Sequence, residues 1–198
     1  MSEETLSKKK IINPAQAGLI AAGVAVMSVT AFFEHTMGRK IWGTGGQAGL
    51  WSNDINSETN SQFIADVYTF SHFLHGVLFY ALFWLVARHL PVKVRLLAAI
   101  IVECGWELLE NSDFIINRYR VQTISLNYFG DSIVNSMFDV IAMALGFWVA
   151  FRLPWKVTFA LLIVIELGTL LWVRDNLTLN IIMLVHPVEA IKTWQGQI

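Results

Sequence analysis

Apolar residues in this chain gather into long, nearly unbroken runs, and the polar residues that interrupt them recur every three or four positions. The first run extends from about Ala15 to Phe33, behind the helix-starting pair Asn13-Pro14. Others extend from about Thr69 to Ala87, Ile133 to Phe151 and Lys156 to Val173, with a shorter and more polar one from about Val94 to Leu109. Roughly 20 apolar residues suffice to carry a helix across a bilayer. The last run, Leu177 to Val185, is too short for that and is followed by Pro187, so it predicts an interfacial or re-entrant helix packed on the outer face. The expected fold class is all-α: an integral membrane helical bundle of about five transmembrane helices plus a C-terminal interfacial helix, a single membrane domain over residues 1–198. The first run is longer than the core of a signal peptide, which favours its retention as a span.

The interruptions are ordered. The second run opens with Ser71, His72 and His75; the third carries Glu103, Glu107 and Glu110, then Asn111 and Asp113. The fourth carries Asp131, Asn135 and Asp139, and the fifth carries Glu166 and closes on Arg174-Asp175-Asn176. Spacings of three and four put each set on one helical face. With a rise of about 1.5 Å per residue, His72, His75, Glu103, Glu107, Asn135, Asp139 and Glu166 lie roughly 5–13 Å inside the outer ends of their helices. Helices that alternate in direction therefore place their polar stripes in the same outer half of the bilayer.

Composition strengthens the membrane reading. Only 15% of residues are charged and the mean hydropathy is +0.53, whereas about a quarter of a soluble domain is charged. Fourteen basic and 15 acidic residues leave a net charge of -1, far from the footprint of a nucleic-acid binder. The single cysteine, Cys104, excludes an internal disulfide framework and any zinc site built on several thiolates of one chain. Lys8, Lys9, Lys10, Arg88, Lys93, Arg95, Arg152 and Lys156 fall on one side of the expected topology. By the positive-inside rule that side is cytoplasmic. Residues 1–14 then form a cytoplasmic tail, 34–68 an outer loop and 175–198 an outer-face C-terminal segment. The expected location is the cell (inner) membrane, multi-pass, with the amino terminus inside and the carboxyl terminus on the periplasmic side.

Buried charge is where candidate chemistry lies. Glu103, Asp139 and Glu166, left unpaired near the helix centres, would together cost roughly 7–10 kcal/mol. Such groups face each other, meet Arg or His, hold a metal or carry protons. No His-Glu-x-x-His, Walker loop, Gly-x-Gly-x-x-Gly or Glu-x-x-His pair is present. Paired carboxylates with histidines suit general acid–base work or a hard-metal site, and spacing alone leaves both open. The candidate catalytic residues are Glu103, Glu107, His72, His75 and Asp139, with His72, His75 and Glu107 as candidate ligands of a divalent metal. Arg118, Arg120, Arg174, Asn111 and Asn135 are candidates to hold an anionic headgroup through charge-assisted hydrogen bonds. Three functions are open: a site that binds or alters a lipid or lipid-linked headgroup, a small transporter or proton relay, and a non-catalytic subunit of a membrane complex. The expected partners are membrane lipid and a membrane protein, with no nucleic acid.

Tyr68-Thr69-Phe70-Ser71-His72, Glu103 through Asn111, Arg118-Tyr119-Arg120, Thr123-Ile124-Ser125, Gly130-Asp131-Ser132 and Arg174 through Asn180 together resemble the UPF0314 family. This is a family of uncharacterised bacterial multi-pass membrane proteins containing a domain of unknown function, and the resemblance covers the chain from about Met37 onward. The stretch from Asp131 to Gly146 is also similar, more weakly, to VanZ-like membrane proteins. The resemblance implies a bacterial inner-membrane protein and supplies no activity, substrate or catalytic residue.

Overall fold

The computed structural model describes residues 13–43 and 46–197. The Lys8-Lys9-Lys10 cluster of the expected cytoplasmic tail lies outside them. The chain folds as an all-α bundle in which helix α1 (Pro14–Thr36) precedes two short strands, β1 (Trp51–Ser52) and β2 (Ala65–Asp66). Then come α2 (Thr69–Ala87), α3 (Val92–Glu110), α4 (Asp113–Gln122), α5 (Ile133–Arg152), α6 (Trp155–Val173), α7 (Leu177–Val185) and α8 (Glu189–Gln195). Local chemistry explains the helix starts. Asn13 accepts a hydrogen bond from the Ala15 amide at 2.8 Å, with Pro14 in the first turn. Ser132 Oγ likewise accepts from the Asn135 amide at 3.2 Å, so the N-cap of α5 is Ser132 and not its neighbour Asp131.

Among the described helices, α1, α2, α5 and α6 are long and apolar enough to cross a membrane. The run expected as a fifth crossing forms the 19-residue α3, which is too charged to meet that standard because it carries Lys93, Arg95, Glu103, Glu107 and Glu110. Instead it packs against α1, α2 and α5, and its Glu103 and Glu107 are fully buried. The bundle places those carboxylates against other helices, which is how charge is accommodated in such an environment.

The α2–α5 pair makes the most extensive helix contact. Two glycines permit it: a Cβ on Gly76 would lie 1.9 Å from the Met143 carbonyl oxygen, and one on Gly146 would lie 1.9 Å from that of Phe73. Such backbone approach is the reason small residues line helix interfaces in membranes. Below this crossing lies an apolar core of Ala99, Met143 and Phe147, with Tyr80 edge-on to Phe147 at 5.3 Å.

Two segments depart from the sequence expectation. α1 runs on to Thr36, so Glu34 belongs to a helix and is wholly buried instead of opening the outer loop. The segment after α3, expected as loop, forms the amphipathic α4, whose Ile115 and Tyr119 pack on Leu184 of α7. The segment between α1 and α2 returns through the parallel pairing of Trp51 with Ala65 and Ser52 with Asp66, which brings Asp66 to the start of α2.

Candidate functional site

His72 and His75 lie in the first two turns of α2, Glu103, Glu107 and Glu110 in the last two of α3, and Asn135 and Asp139 in the first two of α5. The fold brings these three helix ends together. Glu103 Oε1 lies 2.8 Å from His72 Nδ1 and 3.0 Å from His75 Nδ1, and Glu103 Oε2 lies 3.1 Å from His75 Nδ1. An ionised carboxylate only accepts, so with Glu103 charged both imidazoles present Nδ1–H to it and keep Nε2 as the free ring atom. His72 also has Glu107 Oε1 at 3.3 Å from Nδ1 and Asp139 Oδ2 at 3.9 Å from Nε2. Three carboxylates thus surround one buried imidazole. The histidine rings meet edge-on at 5.1 Å, and Trp106 closes on His75 at 6.3 Å.

Hydrogen bonding leaves several of these atoms without partners. Both oxygens of Glu107, Oδ1 of Asp139, Oε2 of Glu110 and Nδ2 of Asn135 are buried and unpaired, as are both oxygens of Glu34 on α1. Buried polar groups are normally satisfied, and five of the exceptions fall in this one cluster, others lying at Arg39, Asn60, Arg95 and Gln195. Two ligand-like groupings exist here, His72 with His75 and Glu103, and His72 with Glu107 and Glu110; within each, the candidate ligand atoms lie within 4.8 Å of one another.

A second tier surrounds the cluster. Asn111 donates through Nδ2 to Asp131 Oδ2 at 3.0 Å and Ser136 Oγ at 3.2 Å, and it accepts from the Asp131 amide at 2.7 Å. Tyr128 donates to Asp131 Oδ2 at 3.0 Å. Burial, reinforced by the charge of Asp66, pushes the Asp131 carboxyl up to about 6. Asp66 accepts from the Ser61 and Tyr68 amides, both at 2.7 Å, and burial raises its carboxyl as well. The sequence had given no reason to group Asp66, Tyr119 and Tyr128 with the helix stripes, since they come from a two-residue strand, a short helix and a loop.

Most of these groups, though not Glu107, Asn111 or Ser136, line one cavity of about 350 Å3. Its lining carries His72, His75, Glu103, Glu110, Asp131 and Asp139; no lysine or arginine is among the lining residues. The lining also includes Leu78, Val102 and Ile181, which are 44%, 47% and 48% exposed. These three partly exposed apolar residues come from α2, α3 and α7.

The remaining candidates are placed elsewhere. Arg118 donates through Nε to the Leu184 carbonyl and through Nη2 to that of Val185 at 3.0 Å, at the end of α7. Arg120 lies over the Phe129 ring at 4.7 Å. Arg174, in the left-handed conformation at φ 51°, donates to the Trp194 carbonyl at 3.0 Å. Glu166 accepts from the Leu177 amide at 3.0 Å and from the Thr178 amide and hydroxyl at 3.2 and 2.5 Å. That carboxylate satisfies the free amides at the start of α7.

A family model described as "Protein of unknown function (DUF2585)" matches residues 34–197. A UPF0314 protein of Rhizobium etli (strain CIAT 652) is 49% identical over 181 residues, covering 91% of this chain and 93% of the relative. One of Sinorhizobium fredii (strain NBRC 101917 / NGR234) is 50% identical over 177 residues, covering 89% and 90%. One of Paracoccus denitrificans (strain Pd 1222) is 47% identical over 171 residues, covering 86% and 89%. No solved structure matches the chain.

Proposed function

The chain belongs to the UPF0314 (DUF2585) family, and we propose that it holds the headgroup of a lipid or lipid-linked molecule at its buried His–carboxylate cluster. The observation that carries this is a single cavity with an unlike lining, acidic and His-bearing residues together with the partly exposed apolar Leu78, Val102 and Ile181. A ligand with an apolar tail and a polar head satisfies both kinds of residue, and a water-soluble ligand only one. In this reading α3 is a fifth crossing, the amino terminus is cytoplasmic and the site lies in the outer half of the inner membrane.

Glu103 orients both imidazoles, as a carboxylate does for histidines that ligate metals or move protons. His72 and His75 are then the acid–base groups, or His72 with Glu107 and Glu110 holds a divalent cation, a set that takes Glu110 in place of the His75 expected from sequence. That cation would also balance carboxylates that have no arginine or lysine beside them, and it would let a phosphate-bearing headgroup approach them. Asp139 and Asn135 complete the polar wall, while Arg118 and Arg174 hold helix ends. A proton or cation relay is the second reading, favoured by Glu34 and Glu107, two buried carboxylates whose oxygens make no hydrogen bond.

The test is metal analysis and bound-lipid mass spectrometry on the gently purified protein, beside Glu103→Gln and His72→Ala. A stoichiometric divalent metal or one recurring lipid in the wild type, lost from variants that still fold, is the expected result. Neither ligand in the wild type, with both variants unfolding or shedding a co-purified protein, would instead identify an assembly subunit.

A further inference from the structure

A second cavity, of about 430 Å3, lies beside the first and shares Asn60, Ser125, Tyr128 and Asp131 with it as a common wall. Both volumes fall within the roughly 300–1,000 Å3 of small-molecule sites. The second is built from the end of α1, the outer loop and the segment 124–131. Its chemistry differs from that of the first. Neutral amides and hydroxyls dominate its polar lining: Asn56, Ser57, Asn60, Gln62, Ser125 and Asn127. Its two cations, Arg39 and Lys40, are matched by two anions, Glu58 and Asp131. The Arg39 guanidinium is also engaged, donating to the Phe129 carbonyl and to that of Met37 at 3.3 Å.

A lining with no net charge and many paired donor–acceptor groups selects neither phosphate nor ammonium. Amides and hydroxyls both donate and accept, which matches a group carrying several hydroxyls. Resting on the lipid-site reading above, we propose that this outer cavity is the head-group subsite of the same ligand, and that it takes an uncharged, hydroxyl-rich group of the sugar or polyol class. The tail leaves past Leu78, Val102 and Ile181, the linkage lies by the His–carboxylate cluster, and the sugar lies on the far side of the residues the two cavities share, reached where Asn60 and Ser125 border both. Asn56 and Asn127, both exposed at the rim, are the specificity-determining residues of this subsite.

The experiment uses the full chain in phosphatidylcholine vesicles doped equally with a monoglucosyl diacylglycerol and the same diacylglycerol without its sugar, and native mass spectrometry counts what the protein retains. A second arm adds glucose alone as competitor. The wild type is expected to favour the glucolipid about tenfold, the discrimination that one or two net hydrogen bonds provide. In the double variant Asn56→Ala/Asn127→Ala that preference falls to near unity while retention of the sugar-free diacylglycerol stays as it was. Val102→Trp, which narrows the path proposed for the tail, lowers retention of both lipids. Equal retention of the two lipids by the wild type overturns the sugar subsite and leaves the lipid site standing. Retention of neither overturns the lipid site itself. Glucose competing as well as the glucolipid does also overturns the two-cavity ligand, because the tail would then contribute nothing.

Discussion

Asn111 bears on the cluster without touching a histidine. Its amide joins the Asp131 backbone and carboxylate to Ser136, and it is fully buried. Asn111→Ala strands several of these partners, each of which costs about 1–3 kcal/mol when left buried and unpaired. A drop of several degrees in the thermal midpoint, followed by Trp fluorescence in detergent, is the expected outcome; an unchanged midpoint would mean that Asp131 finds other partners. Asp175 gives a pH signature at the same scale. It accepts from the Asn176 amide and from Gln195 Nε2, and Tyr68 donates to it. Burial outweighs those bonds and pushes its carboxyl from 3.8 up to about 6. An acid raised on folding contributes its full stability below 3.8 and loses it as pH climbs through about 6. The wild type is therefore expected to lose more stability between those values than Asp175→Asn, which keeps the amide contacts without the charge.

Among the elements, α2 with α5 and α6 with α7 make the sharpest predictions. Gly146→Ala puts a Cβ against the Phe73 carbonyl, and forced overpacking of this kind costs about 1–3 kcal/mol or more. The variant should melt earlier and also lose whatever ligand the wild type carries, because prising α2 from α5 parts His72 from Asp139. Retained ligand at a lowered midpoint would show that the cluster needs α3 alone. Glu166→Ala removes the acceptor for the first amides of α7. Hydrogen exchange should quicken in Leu177–Val185 while α2 and α3 keep their protection; uniform change would assign Glu166 a role in the whole bundle. Legibility differed between these pairs. The bounds of α2 and α7 followed from hydropathy, as did those of α5 and α6 to within a residue. Helix α4 did not, because its helicity depends on Ile115 and Tyr119 finding Leu184 far along the chain.

For the whole molecule, the proposed topology places the outer loop and the segment after α6 on one side and the α2–α3 turn on the other. In a Cys104→Ala background, an impermeant thiol reagent on intact cells with a permeabilised outer membrane should label a cysteine at Asn53 and spare one at Lys93; the reverse pattern inverts the topology. The sequence by itself determined the apolar helices and which carboxylates and histidines share a face. Lipid leaves the backbone few choices, so hydropathy and a three-to-four spacing suffice. Only the tertiary structure decided what each polar group does. It turned Glu166 and Arg118 toward the ends of α7, drew Glu34 inside, and added Asp66, Tyr119 and Tyr128 to the cavity. The physical reason is reach: a helix stripe is a local property, whereas a buried polar atom is satisfied by whichever donor or acceptor the fold carries to it, often a hundred residues away.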